Sequence, residues 1–238
     1  MKILSIGNSF SMNAQHYLNR ISVLNNRPIK TVNLYIGGCS LRKHYFNMLE
    51  NAKKYDFQFN GASTGLNVTI KDALMSDSWD YVTFQQVSTQ SVNIDTYEPY
   101  LTKLSEYVSV YAPQAKKLIH QTWQYDQKVL NERKTADTVE QMFEKIKEAS
   151  IKAAKIINAE GIIPAGAAIN EIVRSGLSPH SDGAHLGNGS GKLCAGLLWY
   201  SYLTSQNPED VILPAPDAPV TEDEIAIIRK AVKDVLFN

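Results

Sequence analysis

The sequence has few cysteines, no excess of charge of either sign and no long hydrophobic run. Its 238 residues include two cysteines, Cys39 and Cys194, which are too few for the disulfide framework of a small secreted domain. Lysine plus arginine equal aspartate plus glutamate at 24 each, so the charge balance gives no indication of nucleic-acid binding or of an anionic membrane partner. No apolar stretch approaches the roughly 20 residues that a membrane-spanning helix needs.

Length and composition are those of a globular α/β domain. The hydrophobic fraction is 44% and the charged fraction 20%, which is typical of a folded protein and not of a disordered one. The chain is too short for two ordinary domains with separate cores, so we expect residues 1–238 to form one domain. No signal peptide is visible, because an apolar strand pattern begins directly after Lys2. A cytoplasmic location is therefore the default expectation, and a secreted or periplasmic one stays open if a leader has been removed.

Short apolar segments with the character of buried strands recur along the chain. The predicted strands cover residues 3–6, 31–36, 80–85, 116–120 and 161–164. A further segment, 55–64, is predicted to be an inserted hairpin, because Asn60-Gly61 is a strong hairpin turn signal.

Amphipathic helices are predicted between the strands. They cover residues 12–24, 41–54, 69–75, 97–111, 137–159 and 190–204, followed by a C-terminal helix. Asp137 with Glu140 and Thr221 with Glu224 have the spacing of capping boxes at two of the helix starts. The alternation predicts a parallel sheet of about five strands with helices on both faces and a site at the carboxyl ends of the strands.

The N-terminal segment has the pattern of a hydroxyl held at the edge of such a sheet. The apolar run 3–6 ends at Gly7 and Asn8, residue types that tolerate tight turns, and Ser9 follows at once. A helix is predicted to open at Met12, and its N-terminus offers N–H groups and a positive dipole to a developing negative charge. Serine is also a favoured helix cap, so the turn by itself leaves a purely structural role open.

A candidate base for Ser9 lies near the other end of the chain. Asp182 and His185 are three residues apart in a glycine-containing loop before a helix. In a turn, that spacing lets the carboxylate reach the near nitrogen of the imidazole and leaves the far nitrogen free for a serine nucleophile. A polar loop in which Asp182 caps the turn and His185 is solvated would show the same residues.

The segments Gly7-Asn8-Ser9-Phe10-Ser11 and Asp182-x-x-His185 resemble the first and last sequence blocks of the GDSL-like, or SGNH, hydrolases. The resemblance implies the three-layer α/β/α, flavodoxin-like fold of that superfamily and the activity of an esterase, lipase or carbohydrate deacetylase. It implies that Ser9 is the nucleophile, His185 the base and Asp182 the residue that orients the base. No metal or organic cofactor is expected, and the five histidines show no metal-ligand spacing.

The resemblance also implies an oxyanion hole, with two departures from the family pattern. Gly38 stands where the family has a glycine whose N–H contributes together with the N–H of Ser9. The family's usual aspartate beside the nucleophile is Asn8 here, and the usual Gly-x-Asn after the third strand is replaced by Gln85-Gln86. We predict that the Gln85 amide replaces that asparagine as a donor, with Gln86 as the alternative and as a substrate-binding residue.

Trp123 follows the fourth strand at the same edge of the sheet. It is predicted either to line the substrate site, as a wall for a sugar ring, or to pack beneath a loop. The sequence thus predicts a serine acyl hydrolase acting on a small-molecule ester, with an acylated carbohydrate as one candidate.

Two other functions stay open. One is an inactive scaffold of the same fold that binds a carbohydrate or small ligand, and the other is a flavodoxin-like nucleotide or flavin protein. Neither the acyl nor the alcohol part of a substrate follows from the sequence, and the oligomeric state does not either.

Overall fold

A seven-stranded sheet organises the fold in the computed structural model, which describes residues 1–237. The strands are β1 (Lys2–Gly7), β2 (Lys30–Tyr35), β3 (Tyr55–Phe59), β4 (Ala62–Val68), β5 (Tyr81–Phe84), β6 (Lys116–His120) and β7 (Gly161–Ile163). Their order is β4-β3-β2-β1-β5-β6-β7, and the neighbours from β2 to β7 all pair in parallel. The predicted α/β fold with a parallel sheet is confirmed, but the predicted count of about five strands is wrong.

The two additional strands are the hairpin that the sequence indicates. β3 pairs with β2 and β4 pairs with β3, both antiparallel. Asn60 and Gly61 form the turn with φ angles of 49° and 84°, a left-handed conformation that these residue types tolerate. The hairpin extends the parallel sheet at one edge, and this pairing accounts for the difference in strand number.

Ten α-helices are present among residues 1–237. They are α1 (Ser9–Gln15), α2 (Leu18–Leu24), α3 (Leu41–Leu49), α4 (Ile70–Met75), α5 (Tyr100–Tyr111), α6 (Gln127–Arg133), α7 (Val139–Ile156), α8 (Ala165–Arg174), α9 (Ser190–Thr204) and α10 (Glu222–Phe237). The helix predicted over 12–24 is in fact two helices, and the first of them begins earlier, directly after Asn8. Neither α6 nor α8 follows from the sequence pattern.

The predicted helix cap of α10 is confirmed, and the predicted cap of α7 is not. Thr221 and Glu224 exchange side-chain and backbone hydrogen bonds at the start of α10, as a capping box does. At the start of α7 the cap is Thr138, whose hydroxyl accepts from the Gln141 N–H at 3.1 Å. The prediction of Asp137 as the cap is therefore wrong by one residue.

Helices cover both faces of the sheet, and each face has its own apolar core. One core is built with α1, α2, α8, α9 and α10, and the other with α3, α4 and α5. Neighbouring residues of β6, Leu118 and Ile119, belong to opposite cores, because successive side chains of a strand point to opposite faces. The result is a three-layer α/β/α arrangement in which the carboxyl ends of β1, β2, β5 and β6 share one edge.

No helix within residues 1–237 has the length and apolar character needed to cross a membrane.

Candidate active site

Ser9 lies at the first turn of α1, immediately after β1. The residue that caps the helix is Asn8, whose Oδ1 accepts from the Phe10 N–H at 3.0 Å and whose own N–H donates to Ser11 Oγ at 3.1 Å. The role of helix cap, which the sequence left open for Ser9, therefore belongs to Asn8. As the first helical residue, Ser9 has an N–H without an intrahelical partner. A side chain at Gly7 would place its Cβ 2.0 Å from Ser11 Oγ, so the tight turn requires glycine.

Ser9, His185 and Asp182 form a continuous series of hydrogen bonds. His185 Nε2 lies 2.8 Å from Ser9 Oγ, although the two residues are 176 positions apart in the chain. On the other side of the ring, His185 Nδ1 lies 2.7 Å from Asp182 Oδ2. The structure thus brings together the three residues that the two sequence blocks single out, in the order hydroxyl, imidazole and carboxylate.

The Asp182 carboxylate is stabilised in its ionised form. Burial acts to raise its pKa, but hydrogen bonds from the His185 side chain and from the N–H groups of His185 and Ala184 outweigh burial and lower the pKa to about 2. An ionised carboxylate can only accept hydrogen bonds, so His185 Nδ1 carries the hydrogen that faces it. His185 Nε2 is then an acceptor toward Ser9 Oγ, which is the tautomer that can remove a hydroxyl proton.

Two buried side chains form hydrogen bonds with the backbone of the loop that carries His185. Trp123 Nε1 donates to the Ala184 carbonyl at 2.9 Å, and Asn13 Oδ1 accepts from the Leu186 N–H at 2.8 Å. Trp123 is fully buried and stacks on Phe10, with ring centroids 4.4 Å apart. Of the two positions predicted for Trp123, the structure shows the one beneath a loop, so this side chain does not line an open substrate site.

Gly183 gives the same loop its shape. Its φ angle is 81°, in the region that favours glycine, and its carbonyl accepts from the Asp126 N–H at 2.8 Å. A Cβ at this position would lie 2.5 Å from Val129 Cγ2 and 2.6 Å from Asp126 Oδ2. The loop therefore packs closely against the start of α6, and only glycine allows that approach.

Gly38 lies in the turn that follows β2. Its φ angle is 60°, and the Cys39 N–H closes the turn by donating to the Ile36 carbonyl at 3.2 Å. Asn8 Nδ2 donates to the Cys39 carbonyl at 3.1 Å, so this turn is joined directly to the residue before Ser9. Gly38 is exposed, and within residues 1–237 its N–H has no backbone hydrogen-bond partner, so it can donate to an oxygen of a ligand.

Gln85 is buried and contacts Asn8. Its Nε2 donates to Asn8 Oδ1 at 2.6 Å, and its Oε1 lies 2.6 Å from His120 Nδ1. The side chain is only 2% exposed. The predicted direct contact between the Gln85 amide and a substrate oxygen is thus replaced in the structure by a contact with the neighbour of Ser9.

Gln86 is not brought to the open part of the site. Its Oε1 accepts from the N–H groups of Leu41 and Val87, both at 2.9 Å. Its Nε2 donates to the carbonyl and hydroxyl of Thr96 at 3.0 and 3.2 Å. All four hydrogen-bonding positions of the amide are occupied inside the protein. The structure therefore corrects the prediction of Gln86 as a substrate-binding residue, because the side chain joins α3 to the segment after β5.

Asn13 is the residue of this site that sequence reasoning misses. Its contact with the His185 loop joins residues 173 positions apart, so no local pattern reveals it. The available signal is its position four residues after Ser9, on the same face of α1.

Within residues 1–237, no group of three or more His, Cys, Asp or Glu side chains is arranged to hold a metal ion.

Comparisons with known proteins agree with this architecture. A family model described as a domain of unknown function, DUF4886, matches residues 2–231. The crystal structure of a DUF4886 family protein from Bacteroides uniformis superimposes with a TM-score of 0.90 at 29% identity, covering 100% of this chain and 95% of that one. A comparison with curated proteins finds no match.

Two more distant structures carry hydrolase assignments that are themselves provisional. One is assigned to the SGNH hydrolases, from Slackia heliotrinireducens, with a TM-score of 0.59 and 24% identity over 85% of this chain and 98% of that one. The other is assigned as a GDSL-like lipase, from Parabacteroides merdae, with a TM-score of 0.57 and 13% identity over 86% and 95%. At these identities the likeness shows a shared fold alone, and the predicted SGNH-type fold is confirmed.

Proposed function

The chain belongs to the DUF4886 family, and from the geometry of its site we propose that it is a serine hydrolase acting on carboxylic esters. The observation that carries the proposal is the hydrogen-bonded series from Ser9 Oγ through His185 to Asp182, at 2.8 and 2.7 Å. The fold shared with SGNH and GDSL-like proteins supports a place in that hydrolase superfamily. A fold by itself does not define a reaction, so the assignment depends on the site.

In the first half of the proposed reaction, Ser9 Oγ attacks the carbonyl carbon of the ester. His185 Nε2 removes the hydroxyl proton as the new C–O bond forms, and Asp182 stabilises the imidazolium that results. The tetrahedral intermediate then collapses. The bond to the alcohol breaks, the alcohol oxygen takes the proton from His185, and the acyl group stays on Ser9.

In the second half, water replaces the alcohol and the same groups act again. His185 Nε2 removes a proton from the attacking water, and the second tetrahedral intermediate releases Ser9 Oγ, which takes that proton back. The products are one carboxylic acid and one alcohol for each ester and water consumed. No external redox partner takes part in either half.

The developing oxyanion needs donors, and two backbone groups are suited to supply them. The N–H of Ser9 lies at a helix N-terminus, where the helix dipole favours negative charge, and the N–H of Gly38 has no backbone hydrogen-bond partner within residues 1–237. We propose these two groups as the oxyanion hole. The substrate is then a small-molecule ester, with an acylated carbohydrate as one candidate.

One observation favours the second candidate function, an inactive scaffold that binds a small ligand in the same place. The Gln85 amide, which the sequence predicts as the side-chain donor to the oxyanion, donates to Asn8 instead. An inactive protein with intact folding would fit that arrangement.

The test compares variants in hydrolysis of p-nitrophenyl acetate and in labelling by a serine-directed fluorophosphonate. We expect Ser9→Ala and His185→Ala to lower turnover by roughly 10⁴-fold or more, and Ser9→Ala to abolish labelling. His16→Ala is the matched control, because His16 also pairs with a carboxylate, Asp217, at 2.6 Å but contacts no proposed nucleophile.

Folded wild-type protein that neither hydrolyses esters nor labels would support the binding scaffold instead. If the protein is active, a series of esters of increasing acyl length identifies the acyl group. A preference for acetyl would point to deacetylation of carbohydrates, and a preference for longer chains to lipid esters.

A further inference from the structure

A buried chain of hydrogen bonds lies behind the two proposed oxyanion donors. It runs from His120 through Gln85 to Asn8 and ends on the Cys39 carbonyl, with donor–acceptor distances of 2.6, 2.6 and 3.1 Å. All four residues are 3% exposed or less. Asn8 precedes Ser9 and Cys39 follows Gly38, so this series of hydrogen bonds connects the two turns that carry the proposed donors.

Backbone groups determine the orientation of the Asn8 amide. The Phe10 N–H can only donate, so the Asn8 atom 3.0 Å from it is the oxygen. The Cys39 carbonyl can only accept, so the Asn8 atom 3.1 Å from it is the nitrogen. The Gln85 atom 2.6 Å from the Asn8 oxygen must then be a donor, which makes it Nε2.

The same reasoning determines the tautomer of His120. Gln85 Oε1 is left as an acceptor 2.6 Å from His120 Nδ1, so Nδ1 carries the hydrogen. Burial lowers the pKa of His120 to about 3, so the ring is neutral near pH 7. Turning the ring over would place Cδ2 against Gln85 Oε1 and lose the bond. His120 Nε2 offers no compensation, since it is buried and has no partner within residues 1–237.

We infer that Gln85 and His120 are positioning residues. Through Asn8, they fix the position of the Ser9 turn relative to the Gly38 turn. The inference rests on the proposed ester hydrolysis and assigns to Gln85 a role other than direct donation to the oxyanion. The Asn8 side chain contacts both turns, and Gln85, which follows β5, donates to the oxygen of its amide. His120 orients Gln85, because a buried amide oxygen without a donor would otherwise favour rotation of the Gln85 side chain.

The two residues should affect the rate of reaction and not the binding of substrate. An oxyanion hole acts on charge that exists in the transition state and not in the ground state. A change in the relative position of the two turns should therefore lower kcat and leave KM nearly unchanged. A role in packing alone would change stability and would not lower kcat selectively.

The experiment measures kcat and KM for p-nitrophenyl acetate and the rate of fluorophosphonate labelling. We expect Gln85→Leu to lower kcat by about a hundredfold, the effect of misplacing a reacting group by about 1 Å, with KM within about twofold of wild type. We expect a smaller loss, about tenfold, for His120→Leu, because Gln85 itself remains. The labelling rate should fall in parallel with kcat. Gln85→Met, of nearly the same length and without a donor, serves if the leucine variant does not fold.

His120→Asn separates positioning from packing. Asparagine can place an N–H near the position of His120 Nδ1 and so restore the bond to Gln85 Oε1, although it fills less of the core than histidine or leucine. We expect its kcat within about threefold of wild type, which is better than His120→Leu despite the poorer packing. The matched control is Gln124→Leu, which removes another fully buried glutamine amide, bonded to Asn170 at 3.1 Å and not to Asn8.

The outcomes distinguish this inference from the function on which it rests. If wild-type protein neither labels nor hydrolyses esters, the proposed function fails and the inference fails with it. If wild-type protein is active and Gln85→Leu retains its kcat, the inference alone is wrong. The same conclusion follows if His120→Asn is as slow as His120→Leu, or if Gln124→Leu is as slow as Gln85→Leu at equal thermal stability.

Discussion

Replacing Asp182 by asparagine changes a charge while keeping the loop that carries it. Asp182 Oδ1 accepts from the N–H groups of Ala184 and His185 at 3.0 and 2.7 Å. Those two donors would hold the asparagine oxygen in the same place. The asparagine NH₂ group would therefore face His185 Nδ1, which could then only accept. The hydrogen would move to Nε2, where His185 would donate to Ser9 Oγ and could no longer remove its proton.

The size of the effect follows from charge and exposure. Opposite unit charges about 4 Å apart attract by about 1 kcal/mol in water and about 4 kcal/mol at an effective dielectric constant near 20. The Asp182 and His185 side chains are 57% and 36% exposed, so solvent screening places the loss between these limits. A barrier increase of about 1–4 kcal/mol slows the reaction roughly 5- to 1000-fold. The unfavourable tautomer adds to this, and we expect a loss in kcat of about 10²–10⁴-fold.

The assay is steady-state hydrolysis of p-nitrophenyl acetate, with thermal unfolding as the check on folding. Asp126→Asn is the control, because Asp126 also caps a backbone N–H, that of Val129 at 2.8 Å, and within residues 1–237 it makes no hydrogen bond to an imidazole. It should retain wild-type turnover. Asp182→Ala should lose stability through its missing cap but keep at least as much kcat as Asp182→Asn, since its His185 can adopt either tautomer. An asparagine variant within about threefold of wild type would refute the reasoning about the tautomer.

Two further predictions concern the loop that carries His185 and the ion pairs at the amino ends of β1 and β2. Gly183→Ala should displace the His185 loop, because its Cβ would lie 2.6 Å from Asp126 Oδ2. We expect kcat to fall about a hundredfold and the melting temperature to drop, and an alanine variant with wild-type kcat would contradict this packing. Hydrogen bonds from Lys2 and Lys30 hold the pKa of Asp77 well below its usual range. Asp77→Asn should therefore lower the free energy of unfolding by on the order of 1 kcal/mol at pH 7. In urea unfolding, the gap to wild type should narrow as the pH falls below the unfolded-state pKa of about 3.9. A gap independent of pH would argue against the ion pairs.

Much of the fold could be predicted because it depends on patterns within short stretches of chain. The five parallel strands, the turn at Asn60-Gly61 and the box formed by Thr221 and Glu224 are each specified by residues a few positions apart. The failures are of a different kind. The sequence predicts the hairpin, but the pairing of the hairpin with β2 depends on contacts between distant residues, such as Val32 with Phe59. The predicted number of strands in the sheet is therefore too low.

In the candidate site, too, contacts within one turn follow from the sequence and contacts between distant segments do not. Asp182 and His185 are three residues apart, so their contact is a property of one turn and the sequence alone determined it. Ser9 could be singled out from its turn, but the sequence contains no measure of its distance from His185. The contact across 176 positions exists because parallel strands bring their carboxyl ends to one edge.

Only the tertiary structure decided what the remaining polar residues at that edge contact. Gln85 donates to a partner 77 positions away, Gln86 accepts from one 45 away, and Trp123 donates to one 61 away. A glutamine amide at a strand end has the same donors and acceptors whether it faces a substrate or a buried neighbour. Which of these it faces depends on packing between distant segments, and local sequence carries no information about that.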